Sequence, residues 1–126
     1  MVQKNGTATF IKAGHCSPIR VSRDGAFEYL DTTSMPVGMM DDTEFLAEVR
    51  QLQPGDKLVV YSDGVTEAAT PNDEEFEIEN LAKTLAANAN QSALTMIEEV
   101  NKALTAWTEG APPADDITLI VARLLP

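Results

Sequence analysis

The sequence predicts an α+β fold, an antiparallel sheet covered on one face by helices, and three observations carry that prediction. Short runs containing Val, Ile and Thr fill the first half of the 126-residue chain. Two apolar stripes at helical spacing follow between residues 76 and 107, and one last apolar run closes the chain. Strands and helices that segregate along a sequence build an antiparallel sheet covered by helices, whereas parallel sheets need strands and helices in alternation.

Taken in order, Thr7 to Ala13 and Ser17 to Ser22 read as strands separated by Gly14-His15-Cys16. Asp24-Gly25 is a hairpin turn, because this pair supplies the positive φ angles that tight hairpins need. Ala26 to Leu30 returns from it, and Thr32 to Gly38 is a loop. Phe45 to Leu52 fits two templates: Phe45, Ala47 and Val49 alternate as in a strand, yet Phe45, Val49 and Leu52 share a helix face. Pro54-Gly55-Asp56 is a turn signal, and Lys57 to Ser62 is a buried strand. Phe76, Leu81, Ala82 and Leu85 mark a first helix. The acidic run Asp73-Glu74-Glu75 stands at its start, where negative charge is favourable. Leu94, Ile97, Val100, Leu104 and Trp107 mark a second helix, stopped by Gly110 and Pro112-Pro113. Ile117 to Leu124 is the final strand.

Composition narrows the function. Hydrophobic residues make up 44% of the chain, enough for one domain, or part of one, with a real core. A formal net charge of −11 repels a nucleic-acid backbone and an anionic membrane surface alike, so neither is expected as a partner. Cys16 is the only cysteine, which excludes an internal disulfide and a thiolate-rich zinc site. An unpaired thiol fits a reducing compartment, and the cytoplasm is the expected location. No apolar stretch approaches the roughly 20 residues of a membrane span.

Two acidic turns, 52 residues apart, are the strongest chemical signal. Asp63-Gly64 ends the apolar run beginning at Leu58, and Asp115-Asp116 opens the run beginning at Ile117. If the two runs are neighbouring antiparallel strands, Asp63 and Asp115 meet at one sheet end. Like charges held close need a cation between them, and carboxylate oxygens select hard divalent ions such as magnesium or manganese. Each turn alone is weaker evidence, since Asp24-Gly25 is the same dipeptide in an ordinary hairpin. Gly14-His15-Cys16-Ser17-Pro18 holds a possible base and nucleophile, but adjacent side chains rarely face each other, and a strand-connecting turn is the better reading. The glycines lack the spacing and the lysine of a phosphate-cradling loop.

In their order along the chain, five motifs resemble one family. They are Ala13-Gly14-His15-Cys16-Ser17-Pro18, Met35-Pro36-Val37-Gly38, and Leu52-Gln53-Pro54-Gly55-Asp56-Lys57-Leu58. Tyr61-Ser62-Asp63-Gly64-Val65-Thr66-Glu67-Ala68 and Ala114-Asp115-Asp116-Ile117-Thr118-Leu119 complete the series. The pattern resembles the PPM-type (protein phosphatase 2C-like) serine/threonine phosphatases, in the bacterial branch of stage II sporulation protein E and the sigma-factor-regulating phosphatases. The resemblance implies two stacked antiparallel sheets flanked by helices, with two Mn²⁺ or Mg²⁺ ions at one end. It assigns metal binding to Asp63 and Asp115 and a supporting place around the ion to Gly64, Asp116 and Thr118. Catalysis would use metal-activated water and no protein nucleophile. The substrate would be a phosphoprotein such as an anti-sigma-factor antagonist.

The family's earlier Asp-rich segment, including the carboxylate that bridges both ions, has no match here, and Phe76-Glu77 stands where the family has Phe-Gly. Residues 1–126 therefore resemble the C-terminal portion of the domain, inactive alone and open to homodimerisation through an exposed sheet edge. The competing readings are a non-catalytic regulatory or interaction module that keeps the phosphatase fold, and a plain divalent-cation-binding domain.

Overall fold

The computed structural model describes residues 1–31, 36–39 and 44–126. Part of the loop expected over 32–38, and Met35 of its motif, lie outside the described residues. Among the described residues there are six strands and three helices: β1 Thr7–Phe10, β2 Ile19–Val21, β3 Phe27–Tyr29, β4 Glu48–Gln51, β5 Lys57–Tyr61, α1 Asp63–Thr66, α2 Glu77–Ala87, α3 Ala93–Trp107 and β6 Leu119–Arg123. The strands form a four-stranded sheet in the order β3-β2-β5-β6 and a separate β1-β4 pair. Every pairing is antiparallel, as the segregated pattern predicts. The ambiguous segment resolves as strand β4 over its second half; Phe45 and Leu46 precede it, exposed.

Alternation along β5 decides how the layers stack. Lys57, Val59 and Tyr61 point to one face and are buried, while Leu58 and Val60 point to the other and are only partly covered. Register carries the inward face across the sheet, with Ile19 opposite Val59 and Val59 opposite Val121. Against this face pack Leu81, Ala82 and Leu85 of α2 and Met96, Val100 and Leu104 of α3. Burial of that many large aliphatic side chains, each contributing about 1.5–3 kcal/mol, is what holds the helices to the sheet.

The second helical stripe needs a correction. Leu94 is 66% exposed, and the buried residue of the first turn is Met96. Met96, Val100 and Leu104 follow a strict i, i+4 row, so the helix meets the sheet about a quarter turn away from the face that Leu94 and Ile97 define. The first helix is also shifted. It begins at Glu77 after Phe76, and Asp73-Glu74-Glu75 lie outside it, where Ala69 bridges Glu75. Its first turn still carries acid, from Glu77 and Glu79.

Lys57 is the unusual member of the core. It is 2% exposed, and its Nζ donates to the carbonyl of Ala89, just beyond the C-terminus of α2. A cation there gives a buried carbonyl just past the helix its donor and complements the negative end of the helix dipole. Burial pushes its pKa below the ordinary lysine value, and the nearby Arg123 adds to this. Lys57→Met keeps most of the volume but leaves the Ala89 carbonyl without its donor. The expected loss is about 1–3 kcal/mol of unfolding free energy, measurable by urea denaturation. An unchanged midpoint would mean that water takes over the carbonyl.

Candidate metal centre

The end of the sheet at which β5 stops and β6 starts is assembled by register. Tyr61, the last residue of β5, pairs with Leu119, the first of β6. Pairing continues one step further, because the Ser62 N–H donates to the Thr118 carbonyl at 3.0 Å. Asp63 is the next residue outward on one chain and Asp115–Asp116 lie just beyond on the other. In place of a simple turn, Asp63 opens the single-turn helix α1, where its carbonyl accepts from the Glu67 N–H at 2.8 Å.

Backbone geometry at Gly64 ties the two acidic turns together. A Cβ built on this residue would stand 2.5 Å from the Asp116 carbonyl oxygen, 3.1 Å from the Asp116 carbonyl carbon and 3.4 Å from that of Asp115. Only a residue without a side chain allows this approach. Asp115 folds back on its own loop, its Oδ1 accepting from the Asp116 N–H at 2.7 Å. The side chains of Asp63, Asp115 and Asp116 all belong to exposed residues. Thr118 acts here through its backbone.

Sequence reasoning passed over Ser62. Its Oγ donates to the Asp116 carbonyl at 2.9 Å and accepts from the Thr118 N–H at 2.9 Å, stitching the two acidic turns together. The available signal was positional: a hydroxyl between a buried Tyr61 and Asp63, at a point where the strand pairing runs out. The Gly14–Pro18 loop also reaches this end. Burial pushes the Cys16 thiol above its ordinary pKa, and the carboxylates of Asp63 and Glu67 raise it further. A thiol held protonated is a poor nucleophile, which agrees with reading that loop as a connection.

The donor set has the chemistry of a hard-cation site: carboxylate oxygens at the ends of rigid strands. Among the described residues, no three His, Cys, Asp or Glu side chains form a group that could hold a metal ion. What the geometry shows is two acidic turns carried on neighbouring backbone segments at one end of the sheet.

The family described as "Stage II sporulation protein E (SpoIIE)" matches residues 3–125. The chain belongs to the SpoIIE family. This SpoIIE-family chain is 33% identical over 116 residues to Protein IcfG of Synechocystis sp., covering 92% of this chain and 18% of that protein. It is 31% identical over 116 residues to phosphoserine phosphatase RsbU of Bacillus subtilis, covering 91% of this chain and 34% of RsbU. Among solved structures, the SiaA-PP2C domain of Pseudomonas aeruginosa superposes with a TM-score of 0.83 at 21% identity, over 95% of this chain and 47% of that one. The likeness establishes the fold class: an α+β arrangement of antiparallel sheets and few helices, as in PP2C phosphatase domains. The SpoIIE-family chain spans less than half the length of each of these relatives. Metal-dependent phosphoserine hydrolysis is typical of the family. No helix among the described residues is long and apolar enough to cross a membrane.

Proposed function

We propose that residues 1–126 are the C-terminal portion of a PP2C-type domain that hydrolyses phosphoserine or phosphothreonine on a regulatory phosphoprotein in the cytoplasm. Asp63 and Asp115 are the chain's ligands to Mn²⁺ or Mg²⁺. Gly64 admits the close backbone approach, while Asp116, Thr118 and Ser62 hold the second acidic turn against the first. The observation that carries the reading is the antiparallel β5–β6 register, which sends both acidic turns out of the sheet at the same end. Bound divalent ions supply an activated water and neutralise charge on phosphoryl oxygens. The first substrate to test is an anti-sigma-factor antagonist, as the resemblance to sigma-factor-regulating phosphatases implies.

Two carboxylates make a weak site, because divalent-ion affinity rises with ligand charge and rigidity. Calorimetric titration of the 126-residue chain with Mn²⁺ should give weak binding, and Asp63→Asn should weaken it several-fold more. Tight binding untouched by Asp63→Asn would put the ion elsewhere.

The non-catalytic alternative draws support from the lack of a three-ligand group among the described residues. It applies to this polypeptide taken alone, and restoring activity in a longer protein separates the two readings.

The same partial architecture bears on association. β3 and β6 are the edges of the four-stranded sheet, and Ile120 on the face away from the helices is 55% exposed. Unpaired strand edges and exposed apolar sheet faces favour pairing with a second copy. Light scattering across a concentration series should show mass rising above the monomer, and Ile120→Lys should suppress that rise. A strict monomer at high concentration would contradict this expectation.

A further inference from the structure

A groove of about 250 Å³ opens beside the carboxylate end of the sheet, between the C-terminus of α3 and the chain leading into β6. Ala68, Leu104, Thr108, Pro112, Pro113 and Ile117 line it. Two features make it more than a gap between elements. Its walls are continuous with the acidic turns: Ile117 lies between Asp116 and Thr118, Pro113 two residues before Asp115, and Ala68 at the end of the segment that α1 begins. The consecutive prolines have fixed φ angles, so that wall is preformed and needs no ordering on binding. The volume falls below the roughly 300–1,000 Å³ of small-molecule sites. It suits one apolar side chain.

Charge around the groove identifies the occupant further. Asp115 and Asp116 directly precede the lining residue Ile117, and the 63–118 segment that supplies every lining residue has only two basic side chains, Lys83 and Lys102. Lys102 is already paired with Glu99. Glu67 and Glu109 flank the lining residues Ala68 and Thr108, and both are exposed. A phosphorylated segment brings negative charge to this acidic surface, and a cationic neighbour in that segment offsets the repulsion.

We propose that this groove seats an apolar side chain close to the phosphorylated residue of the substrate, with a lysine or arginine beside it on the acidic rim. The proposal rests on the phosphatase reading, and its occupant is a substrate segment with that pairing of apolar and basic residues.

The test is a titration of the ¹⁵N-labelled 126-residue chain with phosphoserine peptides, each carrying adjacent Leu and Lys scanned across the flanking positions. At least one register should shift the amides of Ala68, Thr108 and Ile117 together. Changing Leu to Ala in that peptide should weaken binding about tenfold, and changing Lys to Glu should weaken it in a salt-dependent way. Ala111→Trp, at an exposed lining position, should block the groove without disturbing the core. Groove amides that stay silent with every register overturn the proposal, as does equal binding of the Leu and Ala peptides. Mn²⁺ added separately reports on the metal reading through broadening of the amides of residues 63–65 and 115–118. Broadening with a silent groove defeats the groove alone. Groove shifts without broadening defeat the metal site and leave the groove standing as a peptide site.

Discussion

Asp63→Ala and Asp115→Ala should each remove most of the Mn²⁺- or Mg²⁺-dependent hydrolysis of a phosphoserine peptide by a longer protein that supplies the upstream part of the domain. The expected loss is about 100-fold or more, since even the outer partners of metal ligands typically matter 10- to 100-fold. Residues 1–126 alone should turn over little or nothing, because catalysis by two ions depends on both being held together, and this chain has two of the proposed ligands. Either substitution leaves the core untouched, as Asp63 and Asp115 are exposed, so the thermal midpoint should stay within a few degrees of the parent. Good turnover by residues 1–126 alone would show that the chain holds a complete site. An extended protein that stays inert with both metals and several phosphoproteins would move the non-catalytic reading ahead.

Gly64→Ala should damage the junction between the two acidic turns although it adds only one methyl group. Helix propensity argues the other way, since alanine in α1 would gain about 1 kcal/mol over glycine. The steric term is larger. The new methyl would stand 2.5 Å from the Asp116 carbonyl oxygen, and the obstructing atoms are backbone, with no side chain that could rotate away. Relief requires the 115–118 segment to move, which strains the Ser62 hydrogen bonds to Asp116 and Thr118. Overpacking of this kind costs roughly 1–3 kcal/mol, and the midpoint should fall by roughly 5–10 °C. Metal affinity should drop along with it. A Gly64→Ala chain with unchanged midpoint and unchanged Mn²⁺ binding would show that the two acidic turns are not mechanically joined.

The parts of the fold that sequence alone made readable are those whose burial is periodic. Strand β5 alternates from Lys57 to Tyr61 because one face of the sheet meets the helices and the other does not. Its neighbours β2 and β6 share that alternation through their register with it. Leu94 misled the reading of α3 because hydrophobicity does not reveal which of two overlapping stripes faces the sheet. Burial of Met96, a flexible side chain that fills irregular gaps, decided between them. Helix α1 was hidden for a different reason: four residues are too few to show a period.

At the site, the carboxylates were visible because Asp stands at the ends of two apolar runs. Ser62 was not, since its role depends on hydrogen bonds to residues more than fifty positions away. Lys57 gave no warning of burial, because its partner is a backbone carbonyl that the chain supplies 32 residues later. The groove beside the site was equally hidden; Ala68 and Pro113 become neighbours only when α3 lies across the sheet.

The most direct test of the account is a double-mutant cycle on Mn²⁺ affinity. Calorimetry would compare the parent chain with Asp63→Asn, Asp115→Asn and the variant carrying both changes. If the two carboxylates hold one ion, each single change removes most of the binding and the second adds little, a coupling that neighbouring groups show and distant ones do not. Losses that simply add, or a variant with both changes that binds Mn²⁺ as the parent does, would contradict a shared site at the β5–β6 end of the sheet.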